Sequence, residues 1–174
     1  AYTDIHGMMD ITEGMFRHVA NKVCGTGKIT FDGVDLDLDK PFERISMVEA
    51  VRKYAGVDFD KIETLDEARA VAKEHHIEYE QRHKKGDILN LFIEAYVEDK
   101  LVQPTFLTGH PVEISPLAKR DPDHPGYTQR FELFINGREY ANAFSELNDP
   151  IDQRGRFEAQ VELKKQGDEE ANDI

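Results

Sequence analysis

The chain has 174 residues, of which 39% are hydrophobic and 33% are charged, and its 22 Lys and Arg against 35 Asp and Glu give a formal net charge of −13. This length suits one domain, or one core with an insertion, and the acidic balance disfavours direct binding to nucleic acid, which needs clustered basic residues. The single cysteine, Cys24, excludes an internal disulfide and a Cys-rich zinc site. The sequence has no long apolar run and no signal-like segment, so it predicts a cytoplasmic protein without a membrane span.

The first part of the chain predicts a helix followed by a hairpin. Apolar residues recur at helical spacing from Asp4 to Val23, and two glycines follow them. The stretch from Lys28 to Leu38 alternates in polarity around Asp-Gly, which is a strong hairpin signal. Asp35 and Asp37 lack the spacing of a calcium-binding loop, so a solvated outer face is the preferred interpretation.

Three helices are predicted in the middle of the chain. Ser46 to Glu49 and Thr64 to Glu67 each have the pattern of a capping box, and Gly86-Asp87 opens a third apolar-periodic run. We interpret residues 58–100 as a small helical insertion that stands on the main sheet. Adjacent helical side chains point about 100° apart, so His75 and His76 are poorly placed to share a metal ion with each other or with the nearby His83.

The second half predicts strands, a loop and a final helix. Pro104 to Phe106 and Pro111 to Ser115 are predicted strands, and residues 119–127 are rich in loop-forming Pro and Gly. Asp149 caps a helix whose first residue is Pro150, where a missing N–H costs nothing. The helix is expected to run to about Gln166, with an acidic tail over residues 168–174.

The richest signal lies between Arg130 and Pro150. Asn136-Gly137 between β-prone runs predicts a two-residue type I′ turn, which would pair Ile135 with Arg138, Phe134 with Glu139 and Glu132 with Ala141. Glu132 and Glu139 would then be diagonal neighbours on one face, roughly 7–8 Å apart. Two converging carboxylates suit a divalent cation such as Mg²⁺, and two solvated carboxylates on an exposed face are the alternative.

This stretch resembles the class II aminoacyl-tRNA synthetases, and lysyl-tRNA synthetases in particular. The strand, Asn-Gly turn and following strand are similar to the hairpin that carries the metal-binding acids of that family, and Asn-Ala-Phe-Ser-Glu-Leu-Asn-Asp-Pro (residues 142–150) is typical of its lysine members. His-Pro-Val-Glu-Ile-Ser-Pro-Leu-Ala-Lys (residues 110–119), Lys40 to Gly56 and Ile151 to Gly167 add to the resemblance. Nearly the whole chain is covered.

The resemblance implies a fragment. The three motifs that define the class, two of which carry the ATP-binding arginines, are not in this sequence, which is similar to the region between the second and the third. The implied parent is a homodimer that activates L-lysine with ATP and Mg²⁺ and transfers it to tRNA(Lys). The isolated fragment is expected to be inactive and to hold no cofactor.

The resemblance also implies roles for four residues. Glu132 and Glu139 match the acids that hold Mg²⁺ in the family, and Asn142 and Glu146 match positions that bind lysine, with Glu146 facing the ε-ammonium. None of the four is assigned a catalytic role. Strict alternation would put Asn142 and Glu146 on the face opposite Glu139, so a bulge or a sharp twist near Tyr140-Ala141 is required.

The predicted fold is α+β, with an antiparallel sheet core of the class II synthetase type built around Glu113, Glu132 and Glu139, flanking helices and the helical insertion. Its expected divisions are 1–57 and 101–174 for the partial catalytic core and 58–100 for the insertion. A non-catalytic synthetase-like module is the alternative function. An aspartate or asparagine enzyme is disfavoured, since Glu146 would repel aspartate.

Overall fold

The computed structural model describes residues 2–165. This part of the chain folds into five α-helices, six strands and three short 3-10 helices. The helices are α1 (Ile5–Cys24), α2 (Met47–Ala55), α3 (Leu65–Glu74), α4 (Lys85–Tyr96) and α5 (Pro150–Lys165), and the strands are β1 (Lys28–Phe31), β2 (Val34–Asp37), β3 (Glu43–Ser46), β4 (Thr105–Thr108), β5 (Arg130–Ile135) and β6 (Arg138–Phe144). The 3-10 helices are Phe59–Lys61, Glu98–Lys100 and Val112–Ile114. The predicted α+β class is confirmed.

The central sheet has four strands in the order β3-β4-β5-β6, and β1 and β2 form a separate hairpin. The β4–β5 and β5–β6 pairs are antiparallel, as predicted, but β3 and β4 are parallel. Parallel neighbours need a long crossover connection, and here residues 47–104, which include α2, α3 and α4, provide it. The sheet is therefore mixed rather than wholly antiparallel.

Each face of the central sheet covers its own hydrophobic cluster. On one face, Leu107 and Phe134 join buried residues of α2, α3 and α4. On the other face, Phe106, Phe131 and Leu133 pack with Met9 of α1 and with the β1–β2 hairpin. The predicted insertion thus shares one hydrophobic cluster with α2 and with these two sheet residues, while the division at residues 58–100 stays a prediction.

Local capping signals set most helix ends where the sequence predicted them. Asp4 caps α1, and Ser46–Glu49 and Thr64–Glu67 form complete capping boxes at α2 and α3. Asp149 accepts hydrogen bonds from the backbone N–H groups of residues 151 and 152 at the start of α5. These bonds satisfy N–H groups that have no partner inside the helix.

One predicted strand is wrong. Residues 111–115 contain the 3-10 helix Val112–Ile114, and Pro111 forms only an isolated bridge with Tyr127. Proline lacks the N–H that a strand ladder needs, so the β-prone residues after Pro111 do not continue one. Glu113 therefore lies on a helical turn beside the sheet. The predicted end of α5 near Gln166 and the tail 168–174 lie outside the described residues.

None of the helices within residues 2–165 combines the length and the apolar character needed to cross a bilayer.

Candidate active site

The β5–β6 hairpin turns at Asn136 and Gly137, which both have positive φ, at 52° and 69°. Next to the turn the pairing is as predicted, but the register then shifts by one residue, and the observed pairs are Ile135–Arg138, Phe134–Glu139, Leu133–Ala141, Glu132–Asn142, Phe131–Ala143 and Arg130–Phe144. The predicted pairing of Glu132 with Ala141 is wrong, because Tyr140 is an extra residue in β6. The predicted bulge near Tyr140 is confirmed.

The bulge has a packing partner in α1. The ring of Tyr140 contacts the ring of Phe16 edge-on, with centroids 6.4 Å apart, so the extra residue points to the face of the sheet that α1 covers. Beyond the bulge, Asn142 lies opposite Glu132. Opposed residues of an antiparallel pair share a face, so Asn142 lies on the face of Glu132, and Glu139 lies on the face of Phe134. Glu132 and Phe134 are alternate residues of β5, so all of these side chains lie on one face.

Arg130 donates hydrogen bonds to several groups on and beside this face. Its Nε donates to Oδ1 of Asn142 at 3.2 Å, and one terminal nitrogen donates to Oε1 of Glu132 at 2.6 Å. The other terminal nitrogen donates to the carbonyl of Ile114 at 3.0 Å and to the hydroxyl of Ser115 at 2.9 Å. The guanidinium thus connects a predicted metal ligand, a predicted lysine ligand and the segment that follows Glu113.

The side chains of Arg130 and His110 both approach the carboxylate of Glu132. Besides Arg130, the Nε2 atom of His110 lies 3.2 Å from its Oε2, and the two side chains are 2% and 15% exposed. Burial raises the pKa of Glu132, but His110 and Arg130 outweigh it, so the net direction is downward. The carboxylate is therefore held ionised, as a metal ligand must be.

Glu139 and Glu98 have the opposite electrostatic environment. Burial and then the nearby charge of Glu132 raise the pKa of Glu139. Burial also raises the pKa of Glu98, followed by repulsion from Glu94 and Glu132. Arg130, His110 and the hydrogen bond from Asn142 lower the pKa of Glu139, but burial and the charge of Glu132 outweigh them.

Glu98 reaches this face because its 3-10 helix docks on the hairpin turn. The N–H groups of Asn136 and Gly137 donate to the carbonyls of Val102 and Leu101 at 2.9 and 3.1 Å. A Cβ added to Gly137 would lie 3.5 Å from the carbonyl oxygen of Glu98. The end of the predicted insertion is thereby fixed beside the site.

Glu146 follows the end of β6, where continued alternation of side chains predicts the same face as Asn142. It forms an isolated bridge with Ala118, and the backbone on either side pairs with residues 117 and 119 at 2.9 and 2.7 Å. Its side chain is exposed, as is that of Asn142. Because alternate residues share a face, Asn142 and Glu146 lie along one line, about 13 Å apart at 3.3 Å per residue.

Glu113 lies at the edge of this region and contacts α4. A Cβ on Gly86 would lie 2.6 Å from its Oε2 and 2.6 Å from Pro111, so only glycine allows this approach. Glu113 is therefore positioned between α4 and the Arg130-bound segment rather than on a strand.

The carboxylates of Glu132 and Glu139 fit a hard divalent cation that completes its coordination with water and phosphate oxygens. Within residues 2–165 no group of three or more His, Cys, Asp or Glu side chains is arranged to hold a metal ion, which also applies to His75, His76 and His83. A two-carboxylate site that needs ligands from a nucleotide is consistent with this finding.

Sequence reasoning missed Arg130, His110 and Glu98. Arg130 lies two residues before Glu132 on the same strand, and this alternation could have indicated a shared face. His110 and Glu98 come from distant segments, and no local pattern marks either one.

Comparison with known proteins gives two findings. A family model described as tRNA synthetases class II (D, K and N) matches residues 1–173. Proteins named "Lysine--tRNA ligase" from the Staphylococcus aureus strains MW2, MRSA252 and Mu3 are each 55% identical over 174 residues, which is 100% of this chain and 35% of theirs. The chain thus spans about a third of the length of these relatives, and it belongs to the class II tRNA synthetases of the D, K and N group.

Proposed function

We propose that this chain forms the metal-binding and amino-acid-binding part of a lysine–tRNA ligase. The longer parent protein would join L-lysine to ATP as lysyl-adenylate, release pyrophosphate, and transfer the lysyl group to tRNA(Lys). The observation that carries the proposal is the register shift at Tyr140, which brings Glu132, Glu139 and Asn142 to one face of the hairpin. Without that shift, the acids and the predicted lysine ligands would point to opposite sides of the sheet.

Glu132 and Glu139 would hold Mg²⁺. When bound, Mg²⁺ would supply positive charge to the phosphates of ATP. The protein contributes a carboxylate kept ionised by Arg130 and His110, and a second carboxylate whose pKa is raised by burial and by the first. A cation placed between the two carboxylates removes their repulsion, so the bare site favours cation binding.

Asn142 and Glu146 would bind lysine along the same face. The carboxylate of Glu146 is the counter-charge for the ε-ammonium, and an uncharged amino acid would leave it unpaired. Asn142 offers both a donor and an acceptor and suits the backbone end of lysine. Its Oδ1 already accepts from Arg130, and its side chain also hydrogen-bonds to Glu139, so the amide is fixed between the two.

Several properties of the parent belong to the proposal. The ATP-binding arginines of the class would come from outside this chain, so the 174-residue chain alone should not form adenylate. The parent would be a cytoplasmic homodimer. Most of its contacts with tRNA would also be made by segments outside this chain, because this chain carries a net charge of −13.

The rival function is a non-catalytic interaction module. Such a module has no physical need for an ionised, buried carboxylate beside two further acids, because their repulsion only destabilises it. The raised pKa values of Glu98 and Glu139 therefore favour a cation-binding site.

The test compares Glu146→Gln and Asn142→Ala in the parent protein. Glu146 is exposed in this chain, so its pair with the lysine ε-ammonium becomes desolvated only where bound lysine and the rest of the parent protein cover it. Loss of the counter-charge from such a covered pair costs about 3–5 kcal/mol, which corresponds to several hundredfold or more in lysine affinity. Glu146→Gln should therefore bind lysine and norleucine almost equally, with ATP affinity unchanged. Asn142→Ala should weaken both amino acids together, since its contact is at the backbone end.

The matched control is Glu158→Gln, which removes one exposed carboxylate on α5. It corrects for the change in net charge and should leave all three affinities unaltered. Calorimetric titration with lysine, norleucine and ATP gives the comparison. Undiminished discrimination between lysine and norleucine by Glu146→Gln would refute the role of Glu146.

A further inference from the structure

His110 is a buried histidine whose only role so far is its electrostatic effect on Glu132. It is 1% exposed, and its backbone is fixed because its carbonyl accepts hydrogen bonds from the N–H of Thr128 at 2.9 Å and from the hydroxyl of Thr128 at 3.0 Å. Gly109, with a φ of +69°, turns the chain at the end of β4 so that the ring enters the sheet face. Within residues 2–165, neither ring nitrogen has a hydrogen-bond partner of full geometry.

The ring nonetheless lies close to the carboxylate of Glu132. Its Nε2 lies 3.2 Å from Oε2 of Glu132, which is within hydrogen-bond distance, although the pair does not meet the full geometry of a hydrogen bond. A buried polar group without a partner is unfavourable, so a small rotation of either side chain that completes this bond is favoured.

We propose that His110 is a positioning residue that holds the carboxylate of Glu132 in the orientation needed for its ligand. The proposal rests on the metal-binding role assigned to Glu132 above. An ionised carboxylate can accept about four hydrogen bonds or ligands. Arg130 occupies one site on Oε1 and His110 one on Oε2, so each oxygen keeps a free site for a cation.

A histidine suits this position better than a second arginine would. The Nε2–H donor is present in the neutral ring with that tautomer and in the imidazolium alike, so the contact does not require another full charge beside the cation. Partners behind a metal ligand commonly fix its rotamer and strengthen its binding. Glutamate has three rotatable side-chain bonds, so fixing it in advance lowers the entropy lost when the cation binds.

The experiment uses His110→Gln, which retains an N–H donor, and His110→Leu, which does not. In the parent protein, the affinity for Mn²⁺ in the presence of ATP is measured by electron paramagnetic resonance. His110→Leu should weaken Mn²⁺ by about 10–100-fold, a range typical of such partners, whereas His110→Gln should retain most of the affinity. Lysine affinity should stay the same in both variants, because His110 contacts Glu132 and not Asn142 or Glu146.

His124→Leu is the matched control, since His124 is a surface histidine with a side chain that is 75% exposed. It should leave Mn²⁺ affinity unchanged. The double variant His110→Leu with Glu132→Gln should be no weaker than Glu132→Gln alone, because a residue that acts only through Glu132 has no further effect once that carboxylate is gone. Equal losses for His110→Gln and His110→Leu, or additive losses in the double variant, would overturn the proposal.

A second measurement does not depend on the metal or on the folding of the leucine variant. In the 174-residue chain, the ¹⁵N chemical shift of His110 Nε2 should have the value of a donor to a carboxylate and should move on Glu132→Gln. An unchanged shift would refute the contact itself. If the shift moves while Glu132→Gln binds Mn²⁺ normally, the metal role of Glu132 is wrong, but the contact between His110 and Glu132 stands.

Discussion

Arg156 provides the most direct test of how the site is supported. It lies on α5 and is 7% exposed. One terminal nitrogen donates to the carbonyls of Ala118 at 2.6 Å and Ser115 at 3.2 Å. Its Nε and its other terminal nitrogen donate to the two carboxylate oxygens of Asp152 at 3.1 and 2.8 Å. Arg156 thereby ties α5 to the segment that bridges to Glu146.

Replacing Arg156 by Met retains most of the packing but removes every one of these donors. A hydrogen bond to a charged group contributes about 1.5–3 kcal/mol, and the two buried carbonyls lose one each. The pair with Asp152 is partly exposed, with the carboxylate side chain 28% accessible, so it adds only about 1 kcal/mol. The free energy of unfolding should therefore fall by roughly 4 kcal/mol, allowing for the apolar replacement.

Urea denaturation of the 174-residue chain measures this loss as a shift in midpoint at an unchanged slope. Arg154→Met on the same helix is the control, because Arg154 is exposed, and it should change stability by less than about 0.5 kcal/mol. In the parent protein, Arg156→Met should also weaken lysine more than ATP, since Ala118 bridges to Glu146. Equal midpoints for the two variants would refute the argument that Arg156 anchors this segment.

Four further predictions concern the metal ligands, acid stability and two backbone positions. Glu132→Gln and Glu139→Gln in the parent should each slow lysine-dependent ATP–pyrophosphate exchange far more than they weaken lysine binding, because the cation acts on phosphate charge; unchanged exchange would disprove the metal assignment. Arg156 and then Arg120 lower the pKa of Asp152 from 3.8 to about 2, so its stabilisation is complete above pH 4 and is lost as the pH falls toward 2. After discounting for exposure, this stabilisation amounts to about 1 kcal/mol. As the pH falls toward 2, the unfolding free energy of Asp152→Asn should therefore decrease by about 1 kcal/mol less than that of the unmodified chain. Gly137→Ala should destabilise the chain by about 1–2 kcal/mol, because φ is 69° there. Gly14→Ala in the exposed interior of α1, where a new Cβ meets nothing within 4 Å, should stabilise it by about 0.5–1 kcal/mol in the same urea assay.

The features that sequence predicted well depend on neighbours along the chain. The capping boxes at Ser46 and Thr64 and the turn at Asn136 are decided by residues three or fewer positions apart, so their patterns are visible without tertiary structure. The bulge at Tyr140 was inferred from a conflict, because four residues assigned to one site could not share a face under strict alternation. Its packing reason, the contact with Phe16, was not visible in the sequence.

The features that sequence reasoning missed depend on distant segments. The parallel pairing of β3 with β4 joins Glu43 to Thr105 across the whole α2–α4 crossover, and hydrophobic patterns do not specify strand direction. His110 meets Glu132 only because β4 and β5 are neighbours in the sheet. The segment after Pro111 is apolar enough to suggest a strand, but its hydrogen bonds close a 3-10 turn instead.

The extra residue in β6 has a consequence for the evolution and engineering of this hairpin. A substitution at Tyr140 changes one contact with α1, whereas a deletion there would return the strand to simple alternation and rotate Asn142 and everything after it to the wrong side. Apart from Gly137, Glu139 and Asn142, the side chains of residues 137–142 can therefore vary, but the length of this stretch cannot. Libraries or chimeras built across this hairpin should keep the residue count, the turn glycine and the site residues fixed, and vary the remaining positions.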